Sequence, residues 1–455
     1  MAYSRIDIKL IPGFRIVLLL FVWMLASCRP VSESGNVITS LPFDCNQSNT
    51  TYTFASNLEI SEGNGITVNA DNVIIDGAGH RLAYSGDGGG VAILINGEVF
   101  SIEIKNIVFQ QGNHNPKSGE RPHSIFRNGS ASGVKIHNNT FNIRYGGAHP
   151  RSSVYAINMI NGRRVSTDNE IYSNTFNMAG DSGARAINID TNSGWEGTIH
   201  SNTISMRKLH HGPSGYARAI MMSGDGNNKA SIHSNHITLD DSVDTIQGIS
   251  TWRASNFDIY NNTIISAANH ARAILIDGDS DGNKIYRNTI QMTSQHTKNQ
   301  ASAGIRVRYG SDNNKIYSNT IDASTGNNSF PLRLGGDDRM GQPSGTLVHD
   351  NILSSKSRTI SIEEGSDIIL NNNTINTNKD GVAVYFWCTS KQPCNEISFN
   401  NNRISGNIKL VGEKDTLVSK KLMFCNSTTN NNVQPVSGIF QYEIRNGIAC
   451  EKVDN

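Results

Sequence analysis

The sequence predicts an all-β fold, a single-stranded parallel β-helix of about 11 to 12 coils with an asparagine ladder and small terminal caps. A six-residue segment of the type Ile-x-x-Asn-Thr-Ile recurs along the chain, and a second segment, such as Arg185–Asp190, lies between successive copies. Both segments alternate apolar and polar residues, which is typical of strands that bury one face. Repeats that cannot bury an apolar face alone must stack on one another.

Asparagine occupies the fourth position of the recurring segment in ten copies. We predict that these side chains form a structural ladder with one rung per coil. Stacked Asn amides can bond to the coils above and below, satisfy backbone groups of the turn and tolerate a left-handed backbone. The ten residues are Asn139, Asn174, Asn202, Asn235, Asn262, Asn288, Asn319, Asn351, Asn373 and Asn402.

Histidine and tyrosine share the second position of the same segment. Four histidines could suggest a metal site, but they alternate with tyrosines over many coils, which favours ring stacking on an outer sheet face. The column reads His137, Tyr172, His200, His233, Tyr260, Tyr286, Tyr317 and His349.

The segment Asn72-Val-Ile-Ile-Asp-Gly-Ala-Gly-His-Arg-Leu82 resembles the N-terminal signature of the pectin-lyase-like superfamily, and with the Asn turns the resemblance covers roughly residues 57–411. It implies a right-handed helix with the ladder between the second and third strands of each coil. It also implies a groove along the first sheet, in which members usually bind and cleave polysaccharide. We expect residues 28–56 to form a linker and N-terminal cap and residues 412–455 a C-terminal cap, because end coils need cover.

In this arrangement the Arg-Ala-Ile-x-Ile-Asp segments are first strands, and alternation predicts two columns of outward side chains. A register error of one residue would exchange the inward and outward sets. One column reads Asn158, Asn188, Met221, Ser250, Leu275, Arg306, Arg333, Ser361 and Tyr385. Its neighbour reads Ile160, Asp190, Ser223, Trp252, Asp277, Arg308, Gly335, Glu363 and Trp387.

The outward columns predict a binding site where Arg306, Arg308 and Arg333 lie on adjacent coils, next to Trp252 and Asp277. Guanidinium groups bind carboxylate or sulfate bidentately, and aromatic faces bind sugar rings. An acidic polysaccharide is therefore the expected partner. The alternative is a solvated sheet face with salt bridges, such as one between Asp277 and Arg308.

Elimination fits these residues better than hydrolysis. The column carboxylates Asp277 and Glu363 lie three coils apart, about 14 Å, whereas glycoside hydrolases need two carboxyl groups about 5–9.5 Å apart. β-Elimination needs a cation to neutralise the uronate carboxylate and a base to remove the adjacent proton. The candidates are Arg306 and Arg333 as cations, Lys298, His296 and His270 as bases, and Tyr309 as the acid that protonates the leaving oxygen. A non-catalytic carbohydrate-binding or cell-envelope accessory protein is the alternative.

The segment Asp277-Gly-Asp-Ser-Asp-Gly282 has the spacing that begins a calcium loop. Its twelfth position is Asn288, which belongs to the ladder, so a repeated polar turn is the simpler interpretation. We expect no cofactor, with calcium at Asp277, Asp279 and Asp281 as the weaker alternative. Zinc is not indicated, because no clustered Cys/His spacing occurs.

The N-terminal 27 residues form a secretory signal, in which basic residues precede an apolar run that ends in Leu25-Ala26-Ser27-Cys28. This end resembles the bacterial lipoprotein pattern, which implies a lipid on Cys28 and a membrane anchor. Arg29 follows instead of an aspartate, so we expect an exported outer-membrane lipoprotein, facing the periplasm or the surface.

The chain carries 40 basic and 39 acidic residues, a net charge of +1. This balance argues against nucleic acid as the main partner, and we expect a monomer. An exported chain permits disulfides. The expected pairs are Cys388 with Cys394 and Cys425 with Cys450, which leaves Cys45 without a partner.

Overall fold

The computed structural model describes fifteen stretches of the chain, which begin at residue 36 and end at residue 445. These are residues 36–112, 121–145, 153–160, 162–180, 183–190, 192–208, 217–226, 228–240, 245–295, 302–335, 341–378, 380–391, 393–414, 416–429 and 433–445. All regular structure within them is β-strand. None of these stretches forms a helix long and apolar enough to cross a membrane. Cys28 and the signal segment lie outside the described residues.

Successive strands join three parallel sheets in turn, so each coil adds one strand to each sheet. The first sheet contains Phe43–Cys45, Gly63–Val68, Gly90–Asn96, His123–Asn128, Tyr155–Ile160, Arg185–Asp190, Ala217–Ser223, Ile246–Trp252, Ala271–Asp277, Ser302–Val307, Ser329–Leu334, Arg358–Ile362, Val382–Cys388, Asn407–Gly412 and Val433–Ser437. The second contains Asn36–Ile38, Thr50–Phe54, Val73–Asp76, Ile102–Lys105, Lys135–His137, Ser166–Tyr172, Trp195–His200, Lys229–His233, Phe257–Tyr260, Lys284–Tyr286, Lys315–Tyr317, Leu347–His349, Gly365–Ser366, Ile369–Asn371, Cys394–Asn400, Leu417–Cys425 and Ile439–Arg445. The third contains Leu58–Ile60, Arg81–Tyr84, Val108–Gln111, Thr140–Tyr145, Thr175–Gly180, Thr203–Lys208, His236–Leu239, Thr263–Ser266, Thr289–Met292, Thr320–Ala323, Ile352–Ser355, Thr374–Thr377, Arg403–Ser405 and Thr428–Thr429.

The core is a set of apolar columns that run along the helix axis. Phe109, Phe141 and Phe176 stack face to face, with ring centroids 4.8 and 4.6 Å apart. The first isoleucine of each recurring segment is buried in the same interior, for example Ile171 and Ile232. Each such side chain contributes about 1.5–3 kcal/mol by leaving water, so the period-2 pattern of the strands is what closes the coils.

The predicted asparagine ladder is present and buried. Asn262 donates from Nδ2 to the carbonyl of Ile232 at 2.9 Å and to Oδ1 of Asn288 at 3.0 Å. Its own Oδ1 accepts from the backbone nitrogen of Asn235 at 3.1 Å and from Nδ2 of Asn235 at 3.0 Å. At the ends of the row, Asn139 accepts from the nitrogen of Ile107, and Asn402 donates from its nitrogen to Oγ of Ser427.

The left-handed backbone conformation is adopted not by the ladder residue, as expected, but by the residue before it. Ser173, Asn261 and Arg287, for example, have φ of 53°, 53° and 54°. The residue before each ladder asparagine bends the chain, and this bend directs the side-chain amide of the asparagine into the turn. Small polar residues are common at this position because they tolerate such a φ.

A second, shorter set of asparagines supports the turn between the first and second sheets. Oδ1 of Asn283 accepts from the nitrogen of Phe257 at 2.9 Å, and Oδ1 of Asn314 accepts from the nitrogen of Asn283 at 2.9 Å. Asn228 bonds the nitrogen of Trp195 in the same way. These turns vary in length, so the sequence repeat did not reveal them.

Parallel pairing extends into both stretches that the sequence assigns to the caps. Asn36–Ile38 pairs with Thr50–Phe54, and Leu417–Cys425 pairs with Ile439–Arg445. Their inward residues, such as Ile38 and Phe424, continue the apolar columns. The coils therefore begin before residue 57 and end after residue 411, because burial of apolar columns, rather than the ladder, defines a coil.

The histidines and tyrosines of the second strands stack on the outer face of the second sheet, as predicted. Neighbouring ring centroids from His137 to His349 lie 4.6–5.2 Å apart, with nearly parallel planes. Within the described residues, no cluster of three or more His, Cys, Asp or Glu side chains could hold a metal ion. The column is therefore a second ladder of side chains.

A disulfide bond joins Cys388 and Cys394, the first of the two expected pairs. Cys425 is also disulfide-bonded, and its expected partner Cys450 lies outside the described residues. Cys45 is a buried free cysteine, and burial, followed by the charge of Asp44, raises the pKa of its thiol to about 12. The disulfide between Cys388 and Cys394 links the end of a first-sheet strand to the start of a second-sheet strand.

Replacement of a rung in the middle of the ladder will destabilise the protein more than replacement of an exposed asparagine. Asn262→Ala removes the bonds to the carbonyl of Ile232 and to the backbone nitrogen of Asn235, and each buried group left unpaired costs about 1–3 kcal/mol. The control is Asn177→Ala, which removes only the exposed bond to Asn142 and should change the free energy of unfolding by about 0.5 kcal/mol or less. Urea unfolding followed by circular dichroism checks both, and equal midpoints would contradict the structural role of the ladder.

Candidate functional site

The candidate site lies on the outer face of the first sheet, where the register follows the predicted columns. Leu275 pairs with Arg306, and Arg306 pairs with Arg333 on the next coil. Trp252 pairs with Asp277 in the neighbouring column. The strand geometry thus brings the predicted arginines together on adjacent coils.

The structure adds a third outward column, which alternation alone did not predict. Arg185 pairs with Arg218, Gln247 pairs with Arg272, and Arg272 pairs with Ala303. In each strand two consecutive inward residues separate this column from the next one, because the backbone departs from strict alternation there. The signal that could have revealed it is the arginine that opens each Arg-Ala-Ile segment.

Two ion pairs flank Arg306. Arg308 donates from Nε and Nη2 to the two carboxylate oxygens of Asp277, both at 2.9 Å. Arg333 donates to Oε2 of Glu363 at 2.6 Å, and Ser361 donates to Oε1 of the same carboxylate at 3.1 Å. Both carboxylates thus hold arginines in position, and the Asp277–Arg308 salt bridge expected as the alternative is formed.

Arg306 lies between these pairs and is 4% exposed. Its Nη2 donates to the carbonyl of Gly335 at 3.5 Å. Burial lowers the pKa of the Arg306 guanidinium well below its ordinary value, and the positive charges of Arg333, Arg272 and Arg308 lower it further, whereas Glu363 opposes them. Four guanidinium groups therefore share one region of the groove, and a carboxylate or sulfate placed among them would be attracted to all four.

His270 is the predicted base that the structure places against this cluster. Its Nδ1 lies 2.7 Å from Oγ1 of Thr245, and its Nε2 lies 3.4 Å from Nη2 of Arg272. Burial lowers the pKa of His270 to about 4, and the charges of Arg272, Arg306, Arg333 and Arg308 act in the same direction. The imidazole is therefore neutral at physiological pH, as a general base must be before it takes a proton.

Tyr309, the predicted acid, lies beyond the end of the first-sheet strands that is farther from His270. His270 precedes Arg272 by two residues, and Tyr309 follows Ala303, the partner of Arg272, by six, so His270 and Tyr309 lie eight positions apart along the strands. That separation corresponds to about 25 Å along the strands. The structure therefore does not bring Tyr309 and His270 to the same sugar linkage.

The ring of Tyr309 supports Arg308 and Trp252 instead. The Arg308 guanidinium lies 4.2 Å from its centroid, and the Trp252 ring meets it edge to face at 6.4 Å. Gly278 leaves room for Trp252, because a Cβ atom at this glycine would lie 2.9 Å from the indole. These contacts place Trp252 beside the Asp277–Arg308 pair.

The remaining predicted site residues are the bases His296 and Lys298 and the three calcium candidates. His296 and Lys298 lie outside the described residues. Among the three calcium candidates, Asp277 forms an ion pair with Arg308, and Asp281 accepts a hydrogen bond from the backbone nitrogen of Asp312 at 2.7 Å. Two of the three side chains in the weaker expectation of calcium therefore already have protein partners.

Another cleft, with a volume of about 510 Å³, lies on the outer face of the second sheet. Its cations, Lys229 and Lys284, are at least half exposed and already lie 3.5 Å from the carboxylates of Glu196 and Asp258. Exposed pairs of this kind contribute little binding energy. The arginine cluster on the first sheet is accordingly the stronger anion site, and Lys229 offers a control for it.

The chain matches the family model described as a right handed beta helix region over residues 247–434. It is similar to the tailspike protein of E. coli bacteriophage HK620 in complex with a pentasaccharide, with a TM-score of 0.50 and 11% identity over 94% of this chain and 76% of that chain. It also aligns with a PL6 alginate lyase in complex with a trisaccharide, with a TM-score of 0.49 and 15% identity over 94% of this chain and 93% of that chain. An alginate lyase from Paenibacillus sp. str. FPU-7 aligns with a TM-score of 0.34 and 13% identity over 60% of this chain and 92% of that chain. No curated protein matches the chain. The fold is a right-handed parallel β-helix, as the resemblance in the sequence implied.

The imidazole of His270 will titrate near pH 4, well below the ordinary value of 6.5. Arg306→Gln should raise this pKa because it removes one of the positive charges that oppose protonation, whereas Lys229→Gln should leave it unchanged. Histidine NMR titration, with His270→Gln to assign the resonance, measures both effects. A His270 midpoint near 6.5 in the unaltered protein would contradict the clustering of charges around it.

Proposed function

We propose that the protein binds an acidic polysaccharide along the outer face of its first sheet and cleaves it by β-elimination at Arg306 and His270. The observation that carries this proposal is the placement of Arg306 and Arg333 on adjacent coils of the first sheet, with His270 in contact with Arg272 beside them. The fold is compatible with a saccharide ligand, since the HK620 tailspike with the same fold is in complex with a pentasaccharide.

Binding of an anionic sugar follows from the charge arrangement. Burial lowers the pKa of Arg306, and the positive charges of Arg333, Arg272 and Arg308 lower it further. A carboxylate or sulfate between these guanidinium groups offsets their mutual repulsion and forms charge-assisted hydrogen bonds of about 1.5–3 kcal/mol each. The same anion raises the pKa of His270, so the base becomes stronger once substrate is bound.

The elimination step uses the same residues. Arg306 neutralises the uronate carboxylate, which acidifies the proton on the adjacent ring carbon. His270 removes that proton, the electron pair of the broken C–H bond forms the C=C double bond, and the glycosidic C–O bond breaks. The departing oxygen takes a proton from solvent, and the imidazolium returns its proton to solvent. Nε2 is the basic nitrogen, because Nδ1 bonds to Thr245 and the contact of Nε2 with Arg272 is long enough for substrate to replace.

Hydrolysis is a weaker reading of the site. Asp277 and Glu363 are both committed to arginines and lie three coils apart, about 14 Å, which exceeds the separation used by glycoside hydrolases. A non-catalytic binder is the second candidate function. It is favoured by the position of Tyr309, the predicted proton donor, which lies eight positions along the strands from His270.

We also propose that the protein is exported and anchored through a lipid on Cys28, as a monomer. The signal segment supports export, and the disulfide between Cys388 and Cys394 supports an oxidising compartment. Removal of the anchor by Cys28→Ser should move the protein from the membrane fraction to the soluble fraction of cells.

The proposal predicts different defects in two variants. Arg306→Gln should weaken binding of a uronate polymer about tenfold or more, because a charged hydrogen bond is lost. His270→Gln should bind as tightly as the unaltered protein but form no unsaturated ends, because only the base is removed. Calorimetric titration measures binding, and the ultraviolet absorbance of unsaturated uronate measures turnover, with Lys229→Gln as the control.

Three outcomes separate the hypotheses. Binding without any unsaturated product, on every uronate polymer tried, would reject elimination and leave the non-catalytic binder. Equal binding by the Arg306→Gln and Lys229→Gln variants would reject the first-sheet site altogether. New reducing ends without ultraviolet absorbance would instead indicate hydrolysis.

A further inference from the structure

We propose that the pocket between Phe330, Arg358, Tyr385 and Trp387 is a second subsite, which binds another anionic sugar of the same polysaccharide. This inference rests on the proposed function, because the pocket continues the same groove. It assigns the role to Arg358, an arginine outside the cluster around Arg306.

The pocket adjoins the arginine cluster directly. It has a volume of about 260 Å³, and Arg333 and Glu363 line it together with the aromatic residues. The pair formed by Arg333 and Glu363 is therefore a wall that both parts of the groove share. Arg306 pairs with Arg333 and Arg333 with Ser361, so Arg358 lies two coils beyond Arg306 and three positions earlier along the strand. Each of these offsets is about 10 Å, which places Arg358 about 14 Å from Arg306.

Arg358 is held by aromatic rings. Its guanidinium carbon lies 4.0 Å from the centroid of Tyr385 and 5.8 Å from that of Phe330. Rings at this distance stabilise a guanidinium through its faces, and its N–H edge stays free to bind a carboxylate or sulfate bidentately. Among the described residues its contacts are with rings rather than with a carboxylate, unlike Arg308 and Arg333.

Trp387 provides an exposed aromatic face at the same place. It is 52% exposed, which is unusual for so large an apolar side chain. The neighbouring Cys388 is joined to Cys394 across the turn, which restrains the end of the strand that carries the indole. A rigid indole beside a preoriented guanidinium suits a sugar ring that bears an anionic group.

Simultaneous binding at both subsites requires an oligosaccharide longer than a disaccharide. A ligand that contacts both Arg306 and Arg358 must span about 14 Å, which a disaccharide cannot do while it fills either site. The stacking of Trp387 acts on any sugar, whereas the edge of Arg358 acts only on an acidic one. Charge and stacking can therefore be separated by experiment.

The test is calorimetric titration of a uronate dimer, a uronate hexamer, a sulfated hexamer and the carboxyl-reduced neutral hexamer against the full chain. Arg358→Gln should weaken the acidic hexamer about tenfold or more and leave the dimer and the neutral hexamer unchanged. Trp387→Ala should weaken both hexamers alike. Arg358→Lys should recover part of the loss, because it retains the charge without the planar fork.

Arg403→Gln serves as the matched control, because Arg403 is an exposed arginine on the third sheet, away from the groove. Unfolding midpoints confirm that each variant is folded. If the acidic hexamer binds equally to the Arg358→Gln, Arg403→Gln and unaltered proteins, the second subsite is refuted while the proposed function stands. If the unaltered protein binds no acidic oligomer, uronate or sulfated, the proposed function itself fails. Preference for the sulfated over the uronate oligomer, with the same loss in Arg358→Gln, would support the subsite and identify sulfate as the anion.

Discussion

The hydrogen bonds of the buried asparagine ladder are the constraint on which the rest of this protein depends. Each rung bonds the next side chain and the turn backbone of neighbouring coils, as Asn262 does with Asn288 and Ile232. The bonds are satisfied only when corresponding residues lie one coil apart, so the ladder holds the three sheets in one register. Apolar columns supply the burial, but an apolar column tolerates slippage that a row of directional bonds does not.

The fixed register has a consequence on the opposite side of each coil, where it lines up the outward residues of the first sheet. Arg272, Arg306, Arg308 and Arg333 lie on three consecutive coils, and burial together with these positive charges lowers the pKa values of Arg306 and His270. Asp277 and Glu363 hold two of these arginines in place. The scaffold thus concentrates positive charge that short surface loops alone could not keep together.

Much of this arrangement could be predicted from the sequence, because period-2 alternation and the ladder specify which strands pair and which residues face outward. Arg306, Arg308, Arg333 and Asp277 were found in this way. Arg272 was missed because two consecutive inward residues interrupt the alternation between it and Leu275. The separation of Tyr309 from His270 was already implied by the predicted columns, because His270 precedes Leu275 by five positions and Tyr309 follows Arg306 by three. The coils outside residues 57–411 lack the ladder and can be recognised only by their buried apolar residues.

A crystal structure of the protein with a bound acidic oligosaccharide would test the first-sheet site most directly. We expect a carboxylate or sulfate of the ligand within hydrogen-bonding distance of the Arg306 or Arg333 guanidinium, with a sugar ring carbon facing Nε2 of His270. An ordered oligosaccharide in the cleft beside Lys229 and Lys284 on the second sheet, with the first-sheet arginines unoccupied, would contradict this expectation.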